Sequence, residues 1–529
     1  MHLSRRHFIA TCAAMGAANY ALPSSHAANV GVRSFHLCTS PDPLDQEPDR
    51  LEIYSKCGLS TIWLAGFFYG YWPASIERID GWKKRIEGAG LNVNIVNIPL
   101  GHPGDSLGAS SGDFPLTPPT GWRVAIRPDG TKYVGTSLHA PATEQNCAAL
   151  KELSALGVKS VFLDDDFRLA VGPGVIGGCF CDEHRAAFLA RTGFTDSDWQ
   201  TLLADVKARN LSSILREWVE FTCDDLTNCF RAQQAAVPNI ALGNMIMYLG
   251  AEKAGIRLKD YVNAPFRVGE LMFDDNSFGR VKGKTNELFS CLFHRRFAKP
   301  ELAYSETTAY PADKLSAKNM AAKLAVSTIA DVRNTMFMSG ITPFPRAHWD
   351  VLTPAMKKHA AIHEKLAGHT PRGPMKHYWG EHSRYVGDDN PNSLFLGMGI
   401  PFEVCDVPPT EGFTCLSDAD AVSLSQTGVR ESGTTYVTRK ASSVQSERIR
   451  SCEETPEALA ALKREIVAAG GAYPYVENDS PVVCAWYPTA NAVLLWNLTE
   501  ERQTYSLRTG KDTRAVEVDA LDVALVEIS

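Results

Sequence analysis

Three consecutive carboxylates near the middle of the chain are the residues best suited to chemistry. Residues 160–163 have the composition of a buried strand and run directly into Asp164, Asp165 and Asp166. Adjacent acids at the rim of a sheet repel one another, and desolvating them is costly unless partners lie nearby. A fold tolerates this cost for catalysis, for a metal or for a polar ligand. The alternative is a solvated turn with an Asp cap, but a Gly/Pro-rich loop at 171–174 follows instead of a helix.

A second acid could complete a catalytic pair. Hydrolysis of a glycosidic bond with retention needs two carboxyl groups about 5 Å apart, one to protonate the leaving oxygen and one to attack the sugar carbon. Glu306 follows the predicted strand 301–305, and Asp166 ends the acidic segment. Opposite strands of a barrel can hold two side chains at this separation. We therefore predict Asp166 and Glu306 as the catalytic residues.

Further side chains near predicted strand ends are suited to contacting a sugar. The aromatic run 67–72 follows the second predicted strand directly, which places it at the expected active rim. Ordinary core packing is the alternative for each single aromatic residue. The predicted substrate-binding residues are Asp164, Asp165, Trp63, Tyr69, Asn244, Asp274, Asp275, Tyr304 and Trp349.

The elements that must position these residues alternate between strands and helices. Residues 29–370 contain eight short apolar segments, each followed by a helical stretch, which predicts a (β/α)₈ TIM barrel. In such barrels the active site lies at the C-terminal ends of the strands, where the acids fall. Residues 371–470 then read as a small α/β domain, and 471–529 as a C-terminal β-domain. The predicted barrel strands are 33–38, 61–66, 93–98, 160–163, 240–245, 267–273, 301–305 and 335–338.

The acidic segment and the loop after it resemble a known family. Residues 164–167 and 179–188 are similar to the strand-four region of glycoside hydrolase family 42, a β-galactosidase-type family of clan A. Its pattern there is an acid, an Asn, the catalytic Glu and an aromatic residue, before a Cys-x-Cys-x-x-Cys loop that opens a helix. The similarity continues at Asn244, Glu306 and Asn497. It extends to the domain order of barrel, small Rossmann-like domain and β-domain.

The resemblance implies a role for several residues. Asp166 falls on the acid/base, Asp165 on a substrate-contacting Asn, and Glu306 on the nucleophile. Because Asp replaces both Glu and Asn, an inverting mechanism with Asp274 or Asp275 as the base stays open beside the retaining one. For these two acids, pairing with a nearby basic residue is the alternative. The family's middle domain assembles trimers, which implies a homo-oligomer here.

The resemblance also implies a structural zinc on the Cys-rich loop. The family's third cysteine is replaced by His184, which is still a competent zinc ligand. The implied ligands are Cys179, Cys181 and His184, with the fourth unidentified. Cys147 is a candidate for it, and free thiols under a loop are the alternative to a metal site. We expect no cofactor to be required for the chemistry itself.

Two other functions remain open. One is a non-catalytic carbohydrate-binding barrel, in which the Asp substitutions have abolished turnover. The other is a metal-dependent hydrolase that uses residues 164–166 with His36 or His102 as ligands. The leading prediction is a glycoside hydrolase acting on an oligo- or polysaccharide.

The N-terminus predicts export. Residues 4–9, Ser-Arg-Arg-His-Phe-Ile, match the twin-arginine pattern, and the apolar run after them is too short to span a membrane. We therefore expect a signal peptide at 1–28, recognition by the twin-arginine machinery, and a periplasmic or secreted protein without a membrane span. The net charge of −7 and the absence of a basic face exclude nucleic acid as an expected partner.

Overall fold

The computed structural model describes residues 32–100, 119–164, 167–170, 172, 174–269, 271–340, 342–429, 433–442, 444 and 446–528. Their largest element is a closed barrel of eight strands, in which each strand pairs in parallel with its neighbours in sequence and the last pairs with the first. This confirms the predicted (β/α)₈ class. The barrel strands are β1 (Ser34–Thr39), β2 (Thr61–Phe68), β3 (Asn92–Ile98), β4 (Ser160–Leu163), β5 (Ala241–Met247), β6 (Phe266–Gly269), β7 (Ala303–Thr308) and β8 (Asn334–Met338).

Helices cover the outside of the barrel. Alternate residues of each strand, such as Leu242 and Ile246 on β5, belong to the large core between strands and helices, and the residues between them face the barrel interior. The helices of this layer and its loops are α1 (Pro41–Gln46), α2 (Arg50–Cys57), α3 (Ile76–Gly88), α4 (Ala142–Ala155), α5 (Asp182–Thr192), α6 (Asp196–Ala208), α7 (Ser213–Ala236), α8 (Asp275–Phe278), α9 (Val281–His294), α10 (Ala317–Ile329) and α11 (His348–Leu366), with 3₁₀ turns at Glu252–Ala254, Leu258–Tyr261 and Pro300–Leu302.

Two strands differ most from the sequence prediction. Strand β6 ends at Gly269 rather than at 273, because Asp274 instead caps the short helix α8. Strand β7 starts at Ala303, after a 3₁₀ turn that begins at Pro300, and runs on to Thr308. Glu306 therefore lies within its strand and not beyond the end of it.

Two smaller units follow the barrel. A five-stranded parallel sheet has the order β10-β9-β11-β12-β13, and two three-stranded antiparallel sheets have the orders β14-β17-β18 and β15-β16-β19. The strands are β9 (Met375–Tyr378), β10 (Phe402–Cys405), β11 (Phe413–Leu416), β12 (Thr435–Thr438), β13 (Ile449–Ser451), β14 (Tyr475–Val476), β15 (Val482–Tyr487), β16 (Ala492–Asn497), β17 (Gln503–Thr509), β18 (Asp512–Val518) and β19 (Val523–Glu527). The helices are α12 (Glu381–Val386), α13 (Asp418–Thr427) and α14 (Pro456–Ala468), with 3₁₀ turns at Ser393–Gly397 and Pro488–Ala490.

The loop between β3 and α4 carries a hairpin of its own. Strands Val124–Ile126 and Lys132–Thr136 pair antiparallel around the Asp129-Gly130 turn that the sequence signals. The backbone N–H of Phe180 donates to the carbonyl of Ile126, at 2.9 Å. This contact joins the hairpin to the loop after β4, and so brings two loops at the C-terminal end of the barrel together.

Candidate active site in the barrel interior

A fully buried arginine lies at the centre of the candidate site. Arg267 on β6 is level with Met245 on β5 and Tyr304 on β7, and its side chain has no exposed surface. The guanidinium forms an ion pair with the carboxylate of Asp164, and its Nε lies 3.1 Å from Oε2 of Glu306. Acids from strand positions four and seven thus share one cation inside the barrel.

The remaining surroundings of this guanidinium are apolar. Its terminal nitrogens contact the Sδ atoms of Met336 and Met245, both at 2.9 Å, and its centre lies 5.4 Å from the ring centroid of Phe162. Thioether sulfur is a weak acceptor and cannot compensate for the lost hydration of a full charge. The charge of Arg267 is therefore balanced by Asp164 and Glu306.

Glu306 is held at both oxygens. The hydroxyl of Thr308, on the same face of β7, donates to Oε1, while Oε2 faces Arg267. Only 5% of the Glu306 side chain and 1% of that of Asp164 is exposed. The Glu306 carboxylate is therefore fixed in one orientation in the interior of the barrel.

A layer of rings fills the barrel next to these charges. Trp63 and Phe162 lie 4.7 Å apart between ring centroids, and Tyr304 meets both rings edge-on. The indole N–H of Trp63 donates to Nδ1 of His36 at 3.2 Å, and burial lowers the pKa of this histidine to about 4. His36 is thus neutral near pH 7. Trp63 is fully buried and packs as part of the core in this layer, and its contact with substrate stays a prediction.

Two more predicted contact residues are covered by protein. Tyr69, just beyond β2, is 4% exposed, and its ring packs edge-on against Trp122 of the neighbouring loop. Trp349 on α11 is 3% exposed and packs against Tyr54 and Phe337 in the helix layer. Its helix lies outside the barrel wall, and contact of Trp349 with substrate stays a prediction.

Asn244 also faces away from the barrel interior. Its neighbour Met245 contacts Arg267 inside the barrel, so the alternation of side chains along β5 directs Asn244 to the helix side. It is fully buried, and neither of its side-chain polar atoms has a hydrogen-bond partner among the described residues. The predicted substrate contact is therefore not supported by its position.

The acids predicted for strand six serve the local fold. Asp274 caps α8, where its Oδ1 accepts from the backbone N–H of Ser277 at 2.7 Å. This hydrogen bond lowers the pKa of Asp274. Oδ1 of Asp275 accepts from the backbone N–H of Ser316 and from the amide of Asn319, both at 2.8 Å. Both carboxylates thus have local hydrogen-bond partners, and their roles in substrate binding or as the base of an inverting mechanism stay predictions.

Asp165, Asp166 and His102 lie outside the described residues. The convergence of Asp166 with Glu306 therefore stays a prediction. Its chain neighbour Asp164 is described, and it lies beside Arg267 and so on the same side of the barrel wall as Glu306.

A second group of polar residues could hold a metal ion. Donor atoms of His139, Cys181 and His184 lie within 4.8 Å of one another, with Cys181 Sγ 3.5 Å from Nε2 of His139 and 3.2 Å from Nδ1 of His184. Burial lowers the pKa of both histidines, that of His184 to about 4, so both imidazoles are neutral. Neutral imidazoles and a cysteine are suitable zinc ligands.

The predicted ligand Cys179 has other partners. Its sulfur accepts from the backbone N–H of Ile126 at 3.4 Å, and burial raises the pKa of its thiol to about 12. His139, which follows the hairpin, stands where the sequence interpretation left the fourth ligand unidentified. No spacing pattern connects it to residues 181–184, so only the tertiary structure could reveal it.

The sequence interpretation also missed Arg267. Its signal is nevertheless present, since a single Arg stands between Phe266 and Val268 in an otherwise apolar strand. Such a residue on the interior face of a barrel strand requires anionic partners.

Solved structures show where this architecture occurs. The chain superposes on a β-galactosidase of the psychrophilic Marinomonas ef1 with a TM-score of 0.59 and 9% identity, over 94% of this chain and 100% of that one. A family 42 β-galactosidase of G. stearothermophilus gives 0.59 and 12%, over 94% and 98%. The β-galactosidase of Halorubrum lacusprofundi gives 0.57 and 11%, over 93% and 99%. At these identities the likeness establishes a common fold over nearly the whole chain.

Sequence comparison adds nothing to this. No protein-family model matches the chain, and no curated protein matches it in sequence. The predicted resemblance to family 42 is thus confirmed at the level of three-dimensional fold, including the domains after the barrel.

Proposed function

We propose that the protein is a glycoside hydrolase that cleaves an O-glycosidic bond with two carboxylates. The observation that carries this proposal is the placement of Glu306 on strand β7 of a (β/α)₈ barrel, inside the barrel and ion-paired with Arg267. The shared fold with β-galactosidases supports it.

In the proposed reaction, each acid has a distinct task. The carboxylate of Glu306, beside Arg267, attacks the anomeric carbon, and Asp166 donates a proton to the leaving oxygen and later activates water. Thr308 and Arg267 restrict the orientation of the Glu306 carboxylate, which favours one attack geometry. Retention of configuration at the anomeric carbon is expected from this pair.

A second candidate is a carbohydrate-binding barrel without turnover. The observation that favours it is the engagement of both Glu306 oxygens, together with the very small exposure of its side chain. A carboxylate that serves only to neutralise Arg267 would have this geometry. By contrast, the guanidinium against Asp164 disfavours the metal-dependent hydrolase, because it repels a divalent cation.

The substitution Glu306→Gln separates these functions. A panel of aryl glycosides and polysaccharides is assayed, with product configuration followed by NMR. For a hydrolase we expect a loss of about 10³-fold or more in kcat, with glycan affinity retained. Glu287→Gln is the matched control, because Glu287 is also buried but pairs with Lys323 in the helix layer. Full turnover by Glu306→Gln would refute the assigned role, whereas binding without turnover by the unchanged protein would select the second candidate.

We further propose export by the twin-arginine route. Support comes from the cysteines, since the twelve in the described part of the chain form no disulfide with one another and ten of them are buried. Burial raises the pKa of Cys38 and Cys484 to about 12, which makes these thiols unreactive. A protein that folds in a reducing compartment before export retains such thiols. Among the described residues, no helix combines the length and apolar character needed to cross a bilayer. Replacing Arg5 and Arg6 by Lys should retain the protein in the cytoplasmic fraction.

We also propose a structural zinc bound by His139, Cys181 and His184. The mutual distances of their donor atoms and the neutral imidazoles support it. Zinc there would tie the hairpin loop to the start of α5 and take no part in bond cleavage.

A further inference from the structure

We propose that Asp389 is a positioning residue that connects the α/β domain to the loop after the acidic strand. Its catalytic consequence rests on the proposed function, but the contacts that carry it do not. Asp389 follows α12, and Lys253 lies in the 3₁₀ turn after β5. Lys253 Nζ lies 2.5 Å from Asp389 Oδ1, and the two side chains are 0% and 2% exposed.

This ion pair fixes the α/β domain against the barrel. Lys253 also donates to the backbone carbonyl of Ser383 on α12, at 3.2 Å. Separating the 3₁₀ turn from the segment after α12 would leave both buried charges without a partner, which is strongly destabilising. The ion pair therefore keeps these two segments in contact.

The second oxygen of Asp389 holds the loop itself. Oδ2 accepts from the backbone N–H of Gly174 at 2.8 Å. Gly174 has a φ of +70°, and a Cβ there would lie 2.8 Å from the carbonyl oxygen of Asp388, so only glycine fits this close approach. Arg209 donates to the carbonyl of Gly174 and, at 2.7 Å, to that of Val386.

The 3₁₀ turn that carries Lys253 holds the same loop from the barrel side. The backbone N–H of Leu169 donates to the carbonyl of Ala254 at 2.8 Å, and that of Gly177 donates to the carbonyl of Lys253 at 2.6 Å. In sequence this loop directly follows the acidic triplet that includes the predicted acid, Asp166. A shift of about 1 Å in a catalytic group can lower its rate about 10²-fold.

The test compares Asp389→Ala with a double variant, Lys253→Met with Asp389→Asn. The double variant removes both charges but keeps an oxygen that can accept from Gly174. Glu252→Gln is the matched control, because Glu252 contacts Arg384 at the same junction between barrel and α/β domain. Hydrogen exchange of the backbone amides of Leu169, Gly174 and Gly177 is measured first, followed by kcat and KM on a glycoside that the unchanged protein cleaves.

We expect Asp389→Ala to raise exchange at Gly174 and Gly177 at least 10-fold and to lower kcat 10- to 100-fold, with KM changed less than threefold. The double variant should recover most of the protection from exchange and most of kcat, and Glu252→Gln should resemble the unchanged protein in both. Unchanged exchange in Asp389→Ala, or equal losses in Glu252→Gln, would overturn the proposal. If Asp389→Ala does not fold, the same measurements on the double variant and on Gly174→Ala test the proposal. Gly174→Ala displaces the loop but leaves the side chains of Lys253 and Asp389 unchanged. Exchange reports on the loop even if no glycoside is cleaved, so failure of the proposed function is recognised separately.

Discussion

Replacing Arg267 by Met tests the electrostatic reasoning most directly. The substitution keeps a long apolar side chain but removes the cation shared by Asp164 and Glu306, whose side chains are 1% and 5% exposed. Two buried carboxylates then lose their counter-charge. Breaking a buried ion pair in this way costs about 3–5 kcal/mol. With an unfolding entropy of about 2 cal/mol/K per residue over the roughly 330 residues of the barrel, Tm should fall by about 4–7 °C.

The pH dependence of this loss distinguishes charge from packing. At pH 4.5 the two acids can bind protons and become neutral at little cost, whereas at pH 7.5 neutralising them is expensive. The folded variant therefore binds more protons than its unfolded chain, so its deficit in Tm should grow from pH 4.5 to pH 7.5. Differential scanning calorimetry of variant and unchanged protein at both pH values measures it.

Arg33→Met provides the control. Arg33 is also buried, at 3% exposure, but donates to the carbonyl of Leu324 and the hydroxyl of Thr335, not to an acid. The Thr335 hydroxyl keeps a hydrogen bond to Ser327, at 3.2 Å. We expect a smaller deficit with a weaker dependence on pH, because burial is the main cause that lowers the pKa of the nearby His359 and His363 and the charge of Arg33 only adds to it. The reasoning fails if Arg267→Met is no less stable than Arg33→Met, or if its deficit does not change with pH.

Three further predictions concern other parts of the chain. Burial lowers the pKa of His377 to about 3, so on acidification the unfolded chain binds a proton at this residue before the folded protein does. The free energy of unfolding should therefore fall by about 3 kcal/mol from pH 6.5 to pH 4. His377→Phe should flatten this pH dependence in urea titrations, and an unchanged slope would contradict the prediction. Metal analysis of the unchanged protein should find about one zinc per chain. His139→Ala should lose this zinc and Cys179→Ala should keep it. An unchanged protein without zinc would contradict the prediction. Trp63→Ala should lower the free energy of unfolding by about 3–5 kcal/mol, because Trp63 fills the barrel core; a rise in KM with unchanged stability would instead indicate sugar stacking.

The barrel was predictable because its signal is local and repeated. Short apolar segments separated by helical stretches are visible in sequence, and each predicted strand overlaps an observed one. Strand ends were less predictable. Whether residues 271–273 belong to β6 depended on Asp274 capping α8, and a cap is recognised only once the helix after it is known.

The fate of single aromatic and polar residues was not predictable in the same way. Trp63 stands between Ile62 and Leu64, and Trp349 between His348 and Asp350. Both are nevertheless buried, one in the barrel interior and the other in the helix layer. A shift of one position along a strand moves a side chain from one face of the wall to the other, as Asn244 and Met245 show. Residue type alone cannot decide such a question.

Sequence by itself determined the class of fold, the acids worth considering and the expected export of this protein, because composition, periodicity and short motifs are local properties. Only the tertiary structure decided which charges meet. Arg267 contacts acids more than 35 positions away on either side, and His139 lies beside Cys181 through the contact of two loops. Charged side chains pair when they lie close together in space, and closure of the barrel brings the side chain of Arg267 close to those of Asp164 and Glu306.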